Sequence, residues 1–153
     1  MFKYALLAAA AVANELHLIE AVPSNSVVIT QLSGQQNWVL QSGIADPDPV
    51  EKNNTQKFKA TGPWTSAAGA TMSQVLFTCD LLGVQVFKQS IPCSAGAADC
   101  PLPSGTPGEM WTGNFGFDVP AVVPPGATYD VNIRGQTADG TDLWVLESKF
   151  QIP

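Results

Sequence analysis

The segment from Thr128 to Ile152 constrains the fold more than any other. Tyr129, Val131 and Ile133 alternate with Asp130, Asn132 and Arg134. Ala138-Asp139-Gly140-Thr141 then breaks the pattern, and Trp144, Leu146, Phe150 and Ile152 alternate with Glu147, Lys149 and Gln151. A period of two places successive side chains on opposite faces of a strand, and Asp-Gly supplies the positive φ of a tight hairpin turn. The reading is strand, turn, strand, each strand apolar on one side only. That side needs cover, and a second sheet about 10 Å away supplies it in a sandwich.

The rest of the chain repeats the theme. Twelve prolines and thirteen glycines punctuate runs rich in Val, Ile, Phe, Thr and Trp. Helix signals are almost absent beyond the first residues. The spacing predicts strands over 27–31, 37–44, 55–61, 71–80, 83–91, 110–119, 128–137 and 142–152. Asp46-Pro47-Asp48-Pro49 closes the second, because proline lacks the donor that a central strand needs. In the fourth, Val75, Phe77 and Cys79 share a face. Gly113 and Gly116 weaken the sixth. Short strands at regular spacing predict an all-β sandwich or barrel of about seven or eight strands.

Residues 1–13 read as a signal peptide: Lys3, an apolar run, and Ala11-Val12-Ala13 as a small-residue cleavage site. The run is too short to span a bilayer, which takes roughly 20 apolar residues. The mature domain is then 14–153. Seven Lys and Arg against thirteen Asp and Glu give a net charge of −6. Without a basic cluster the chain should not bind nucleic acid, whose phosphates are met chiefly by Lys and Arg, and it gains nothing from anionic membrane charge.

Among the three cysteines, Cys93 and Cys100 bracket the loop-like Ser-Ala-Gly-Ala-Ala-Asp and are expected to pair. A loop this short contributes about 2–3 kcal/mol on the chain-entropy estimate. Cys79 is left over. It is either a buried thiol packed as a small hydrophobe or a disulfide link to a partner or a second copy.

Little in the sequence points to catalysis, a metal or a cofactor. The single histidine, His17, lies close to the mature terminus, whereas nucleophilic mechanisms need a base held within hydrogen-bond reach. Asp46, Asp48 and Glu51 cluster among prolines, and Asp139 and Asp142 flank the hairpin turn. Turn formation and solvation explain both sets, and the first matches no calcium-loop spacing. Asn53-Asn54-Thr55 is a glycosylation sequon, making Asn53 a candidate acceptor. Trp38, Trp64, Trp111, Trp144 and seven Phe either fill a plain core or wall a partly empty one.

Cys100-Pro101-Leu102, Trp111, Val119, Val123-Pro124-Pro125-Gly126-Ala127-Thr128-Tyr129, Val131, Asp139-Gly140, Leu143 to Glu147 and Phe150 to Ile152 together resemble the MD-2-related lipid-recognition (ML) family. That family includes Niemann-Pick type C2-like sterol carriers and fungal phosphatidylglycerol/phosphatidylinositol transfer proteins. The resemblance spans about Leu76 to Ile152, with Gly83 to Phe87 similar to a family strand and Ala45 to Val50 at a proline-containing turn. Most members tie an early cysteine to one in the last strand. Here Val145 occupies that last-strand position and no early cysteine exists, so the bond is lost as a unit.

The resemblance implies an Ig-like β-sandwich of two antiparallel sheets parted around an apolar cavity, its mouth at a loop end and gated by aromatics. By position, Val86, Phe87, Trp111, Phe117, Val119 and Val123 align with residues near the family's pocket. It further implies lipid binding or transfer of a sterol or phospholipid without covalent chemistry. Transient membrane contact and a secreted, extracellular, lysosomal or vacuolar location go with it. The competing reading is an extracellular Ig-like structural or adhesion module in a surface complex or filament.

Overall fold

A computed structural model describes residues 26–34 and 36–152; the leader segment 1–13 and His17 lie outside the described residues. The described residues form eight strands: β1 Val28–Gln31, β2 Ser42–Asp46, β3 Thr55–Pro63, β4 Met72–Leu81, β5 Val84–Pro92, β6 Met110–Asp118, β7 Thr128–Thr137 and β8 Asp142–Gln151. A short 3₁₀ turn at Ala67–Thr71 leads into β4. One sheet has five strands in the order β1-β8-β7-β4-β5, the other three in the order β2-β3-β6, and every pairing is antiparallel. The architecture is the expected two-sheet sandwich.

The hairpin falls where the alternation put it. β7 pairs with β8 from Thr128 opposite Gln151 to Gln136 opposite Asp142. Gly140 turns the chain at φ 85°, and the Thr137 and Thr141 backbones close the turn. Asp139 accepts from the Thr137 hydroxyl and the Thr141 N–H, and these bonds hold its carboxyl below the usual carboxylate range. Tyr129, Val131, Ile133, Trp144, Leu146, Phe150 and Ile152 are all buried. In β4, Met72 and Val75 both face inward although three residues apart, because the register against β7 shifts between Met72 and Gln74. Alternation then resumes through Phe77 and Cys79.

The strand expected over 37–44 is different. Regular pairing begins only at Ser42 and runs on to Asp46, just before Pro47. The preceding stretch crosses from one sheet to the other. The Leu32 and Asn37 N–H groups donate to Val145 and Leu143 of β8, and those of Val39 and Gln41 to Pro63 and Thr61 of β3. Backbone shared between two sheets satisfies its polar groups without forming a ladder in either, and Trp38 keeps only an isolated bridge to Trp64.

Candidate functional site

The space between the sheets is filled unevenly along the strands. At one end lie Trp38, Trp64, Trp111 and Trp144. Trp38 is 5.1 Å from Trp144 and 5.6 Å from Trp111 by ring centroid, and Trp111 is 6.2 Å from Trp64. Two glycines make the room. A Cβ on Gly135 would fall 2.2 Å from the Trp144 ring, and one on Gly113 2.1 Å from Phe115. Gly113, which weakens β6 as a bare strand, is therefore what lets the rings pack. Trp38 donates its indole N–H to the Gly62 carbonyl and Trp111 to the Pro101 carbonyl, each at 2.8 Å.

Cys93 and Cys100 form the expected disulfide. Their loop is pinned to β6, where Asn114 donates its backbone N–H to Asp99 and its side-chain amide to Ala98.

The middle of the sandwich is phenylalanine. Phe77, Phe58, Phe87 and Phe117 form a connected set with centroid spacings of 5.2–6.4 Å. Beyond them, at the end opposite the tryptophans, packing gives way to a cavity of about 270 Å³. Cys79 and Leu81 from β4, Val86 and Phe87 from β5, and Phe117 from β6 form part of its wall. Tyr129, Phe150 and Ile152 form another part, and the segment from Asp118 to Pro124 closes it. That segment is held by the Val119 N–H on the Asn54 carbonyl and the Gly126 N–H on the Ile152 carbonyl.

Five of the residues singled out in the sequence, Val86, Phe87, Phe117, Val119 and Val123, come together around this cavity. Trp111 does not line it. Trp111 and Phe117 share an inward face of β6 but stand six residues apart, roughly 20 Å at the strand rise, so Trp111 belongs to the filled end. Cys79, Leu81, Tyr129, Phe150 and Ile152 also stand in the wall. Their inward faces were readable from alternation, but alternation does not say which end of a sandwich is empty.

Of the alternatives for Cys79, the structure has the buried free thiol. At 2% exposure it is out of reach of a partner's cysteine. Burial first, then the charges of Asp80 and Asp130, push its pKa up to about 11. Tyr129, 6% exposed and stacked on Phe150 at 5.9 Å, is shifted upward too, by burial and then by Cys79. Its phenol oxygen has no hydrogen-bond partner among the described residues.

The rim is apolar and open. Among the lining residues Val86 is 53% exposed and Val122 92%, and Leu82, next to the lining residue Leu81, is 84% exposed. Leu82 sits at the tip of the β4–β5 turn at φ 51°. Asn53 lies exposed in the turn before β3 at φ 54°, a conformation asparagine tolerates. The sequon's Thr55 hydroxyl donates to Asp118 at 2.7 Å. In the acidic turn, Glu51 accepts locally from Asn54, whereas Asp48 accepts from the Val27 N–H, 21 residues away at the entry to β1.

No family model matches the sequence, and no curated protein matches it. Solved structures do. A Niemann-Pick type C2 protein from Japanese carpenter ant superposes with a TM-score of 0.54 at 9% identity, covering 82% of this chain and 99% of that one. Chicken MD-1, crystallised in complex with lipid IVa, superposes with a TM-score of 0.50 at 15% identity, covering 86% and 93%. The chain thus has the two-sheet sandwich fold of the ML-domain proteins that its C-terminal half resembles in sequence.

Proposed function

We propose that this protein is a secreted lipid-binding or lipid-transfer protein that holds its ligand between the sheets without covalent chemistry. The observation that carries the reading is the cavity at one loop end. Its wall is almost wholly apolar, and its rim of Val86 and Val122 opens to solvent. Apolar burial drives uptake at ~25 cal/mol per Å² before the costs of association. The mature domain is 14–153, released by cleavage of the 1–13 leader, and the Cys93–Cys100 disulfide fits an oxidising compartment. Extracellular medium and the lumen of a lysosome or vacuole both qualify. Loading and release involve transient contact of the Leu82 and Val122 tips with a bilayer. The full chain carries a net charge of −6, and loss of Lys3 with the leader makes the mature domain more acidic still, so that contact rests on apolar insertion rather than on anionic headgroups.

The fold likeness to a protein crystallised with lipid IVa supports the reading. One observation favours the structural-module alternative: Trp38, Trp64, Trp111 and Trp144 are all buried and pack ring against ring at the other end. Mass spectrometry of the purified protein under native conditions separates them. A stoichiometric lipid establishes the carrier. An empty protein that takes up neither sterol nor phospholipid puts the structural module first.

A further inference from the structure

One sequence motif is not absorbed by the carrier reading. Of the seven asparagines in the chain, Asn53 alone is followed two residues on by a serine or threonine. The residue between, Asn54, is not proline, which completes the acceptor tripeptide for N-linked glycosylation. Such tripeptides also arise by chance, so the place of this one in the fold decides what it can do.

The connection from β2 to β3 presents Asn53 and holds its neighbours. Val50 is buried in the core and anchors the connection. The Asn54 side chain donates to Glu51 at 3.0 Å and accepts from the Thr55 N–H at 2.8 Å, and the Asn54 carbonyl accepts from the Val119 N–H. Asn53 is exposed, and among the described residues its side-chain amide is not hydrogen-bonded. Its φ of 54° lies in the left-handed region, which asparagine tolerates. A bulky hydrophilic group can leave this side chain into solvent without displacing packed atoms. The Thr55 hydroxyl, which completes the acceptor, is committed to Asp118 in the folded chain. Asp118 follows 63 residues later, so a chain entering a secretory lumen from its N-terminus shows the tripeptide before β6 arrives to pair with β3.

We propose, resting on the secreted part of the reading above, that Asn53 carries an N-linked glycan. The glycan stands beside the segment that closes the cavity, because Asn54 and Thr55 are tied to Val119 and Asp118. The donor is an oligosaccharide carried on a polyprenol pyrophosphate. The Asn53 amide nitrogen bonds to the anomeric carbon of the first sugar, and the bond from that carbon to the pyrophosphate oxygen breaks. The lipid pyrophosphate leaves with the bonding electrons, and one amide proton passes to base.

The test is mass spectrometry on the full chain, leader included, expressed in eukaryotic cells and recovered from the medium, before and after digestion with a peptide-N-glycosidase. That enzyme hydrolyses the glycan away and leaves aspartate at the modified position. The native protein is expected to lose mass on digestion and to show aspartate at position 53. Asn53→Asp keeps a residue that tolerates a positive φ and should be secreted with no mass to lose. A native protein secreted with its leader removed and Asn53 unmodified overturns the proposal, leaves the carrier reading standing and makes Asn53 a turn residue only. A glycan that persists in Asn53→Asp overturns the assignment to Asn53. A native protein that keeps its leader and stays in the cell overturns the secreted reading, and this proposal with it.

Discussion

Phe87 and Phe117 face each other across the open side of the sandwich, ring centroids 5.5 Å apart, from the edge strands of opposite sheets. Both rings wall the inner cavity, and both also wall a broader cleft of about 800 Å³ lined from β2, β3, β5 and β6. The pair therefore stands between the two spaces. An aromatic pair of this kind contributes ~0.5–1.5 kcal/mol beyond the area it buries. Phe87→Ala is expected to speed release of a bound fluorescent lipid to acceptor vesicles about 2- to 12-fold, the rate equivalent of that energy. Stopped-flow transfer measures it, and an unchanged release rate would show that lipid leaves by another route.

Val86 and Val119 separate binding from stability. Val119 is buried and its backbone is tied to Asn54, so Val119→Asp places a carboxylate in the apolar wall and weakens both fold and uptake. Val86 lines the cavity while remaining 53% exposed. Val86→Asp should leave stability within about 0.5 kcal/mol, as for most exposed substitutions, and still reduce lipid affinity by presenting charge to the bound chain. Urea melts beside lipid titrations check both. A Val86→Asp protein that binds like the native one would move the binding surface away from β5.

β4, β7 and β8 were legible because their inward faces carry large apolar residues. β7, written by Tyr129, Val131 and Ile133, begins and ends where the pattern does. The stretch around Trp38 was not legible in the same way. Trp38, Val39 and Leu40 have strand-like composition, yet the Val39 N–H bonds to Pro63 at the end of β3, the Trp38 carbonyl and the Leu40 N–H to the Gln31 side chain of β1, and the Leu32 and Asn37 N–H groups to β8. Nothing local to those residues encodes a crossing between sheets. The site was half legible for a related reason. Period two assigns Trp111, Phe117 and Val119 to one inward face of β6 and its extension, but the position of a void along that face depends on what the opposite sheet brings. Near Trp111 it brings Trp144 over Gly135, and near Val119 it brings Tyr129 and Phe150.

Trp111 at the filled end predicts a substitution with the opposite character. Trp111→Phe removes the hydrogen bond to the Pro101 carbonyl and leaves part of the space between Trp38, Trp64 and Trp144 empty. A loss of about 1–3 kcal/mol is expected from the void and the unmade bond together. Lipid affinity should be unchanged, since the cavity lies roughly 20 Å farther along the strands. Equilibrium unfolding followed by tryptophan fluorescence reads the first quantity and lipid titration the second. A drop in affinity matching the loss of the ring would place ligand at the tryptophan end after all.

Cys79 ties the cavity to an alkaline limit on stability. Its thiol ionises near pH 9.0 in the unfolded chain and at about 11 in the folded one, because burial, then Asp80 and Asp130, disfavour the thiolate. Between those values the unfolded chain gives up a proton that the folded chain keeps, so stability falls as pH rises. The contribution is fully present below pH 9 and is lost as pH climbs through 11, on the order of 2–3 kcal/mol in all. Tyr129, also shifted upward, adds to the same limb. Cys79→Val should therefore flatten the limb without abolishing it, while keeping an apolar side chain in the cavity wall. The same burial makes the thiol slow to alkylate at neutral pH, where the thiolate that reacts is scarce. Iodoacetamide labelling should be fast in urea, slow in the native protein and slower still when lipid fills the space beside Cys79. Rapid native labelling, or identical alkaline limbs for the native and Cys79→Val proteins, would mean that the thiol is not held in the wall.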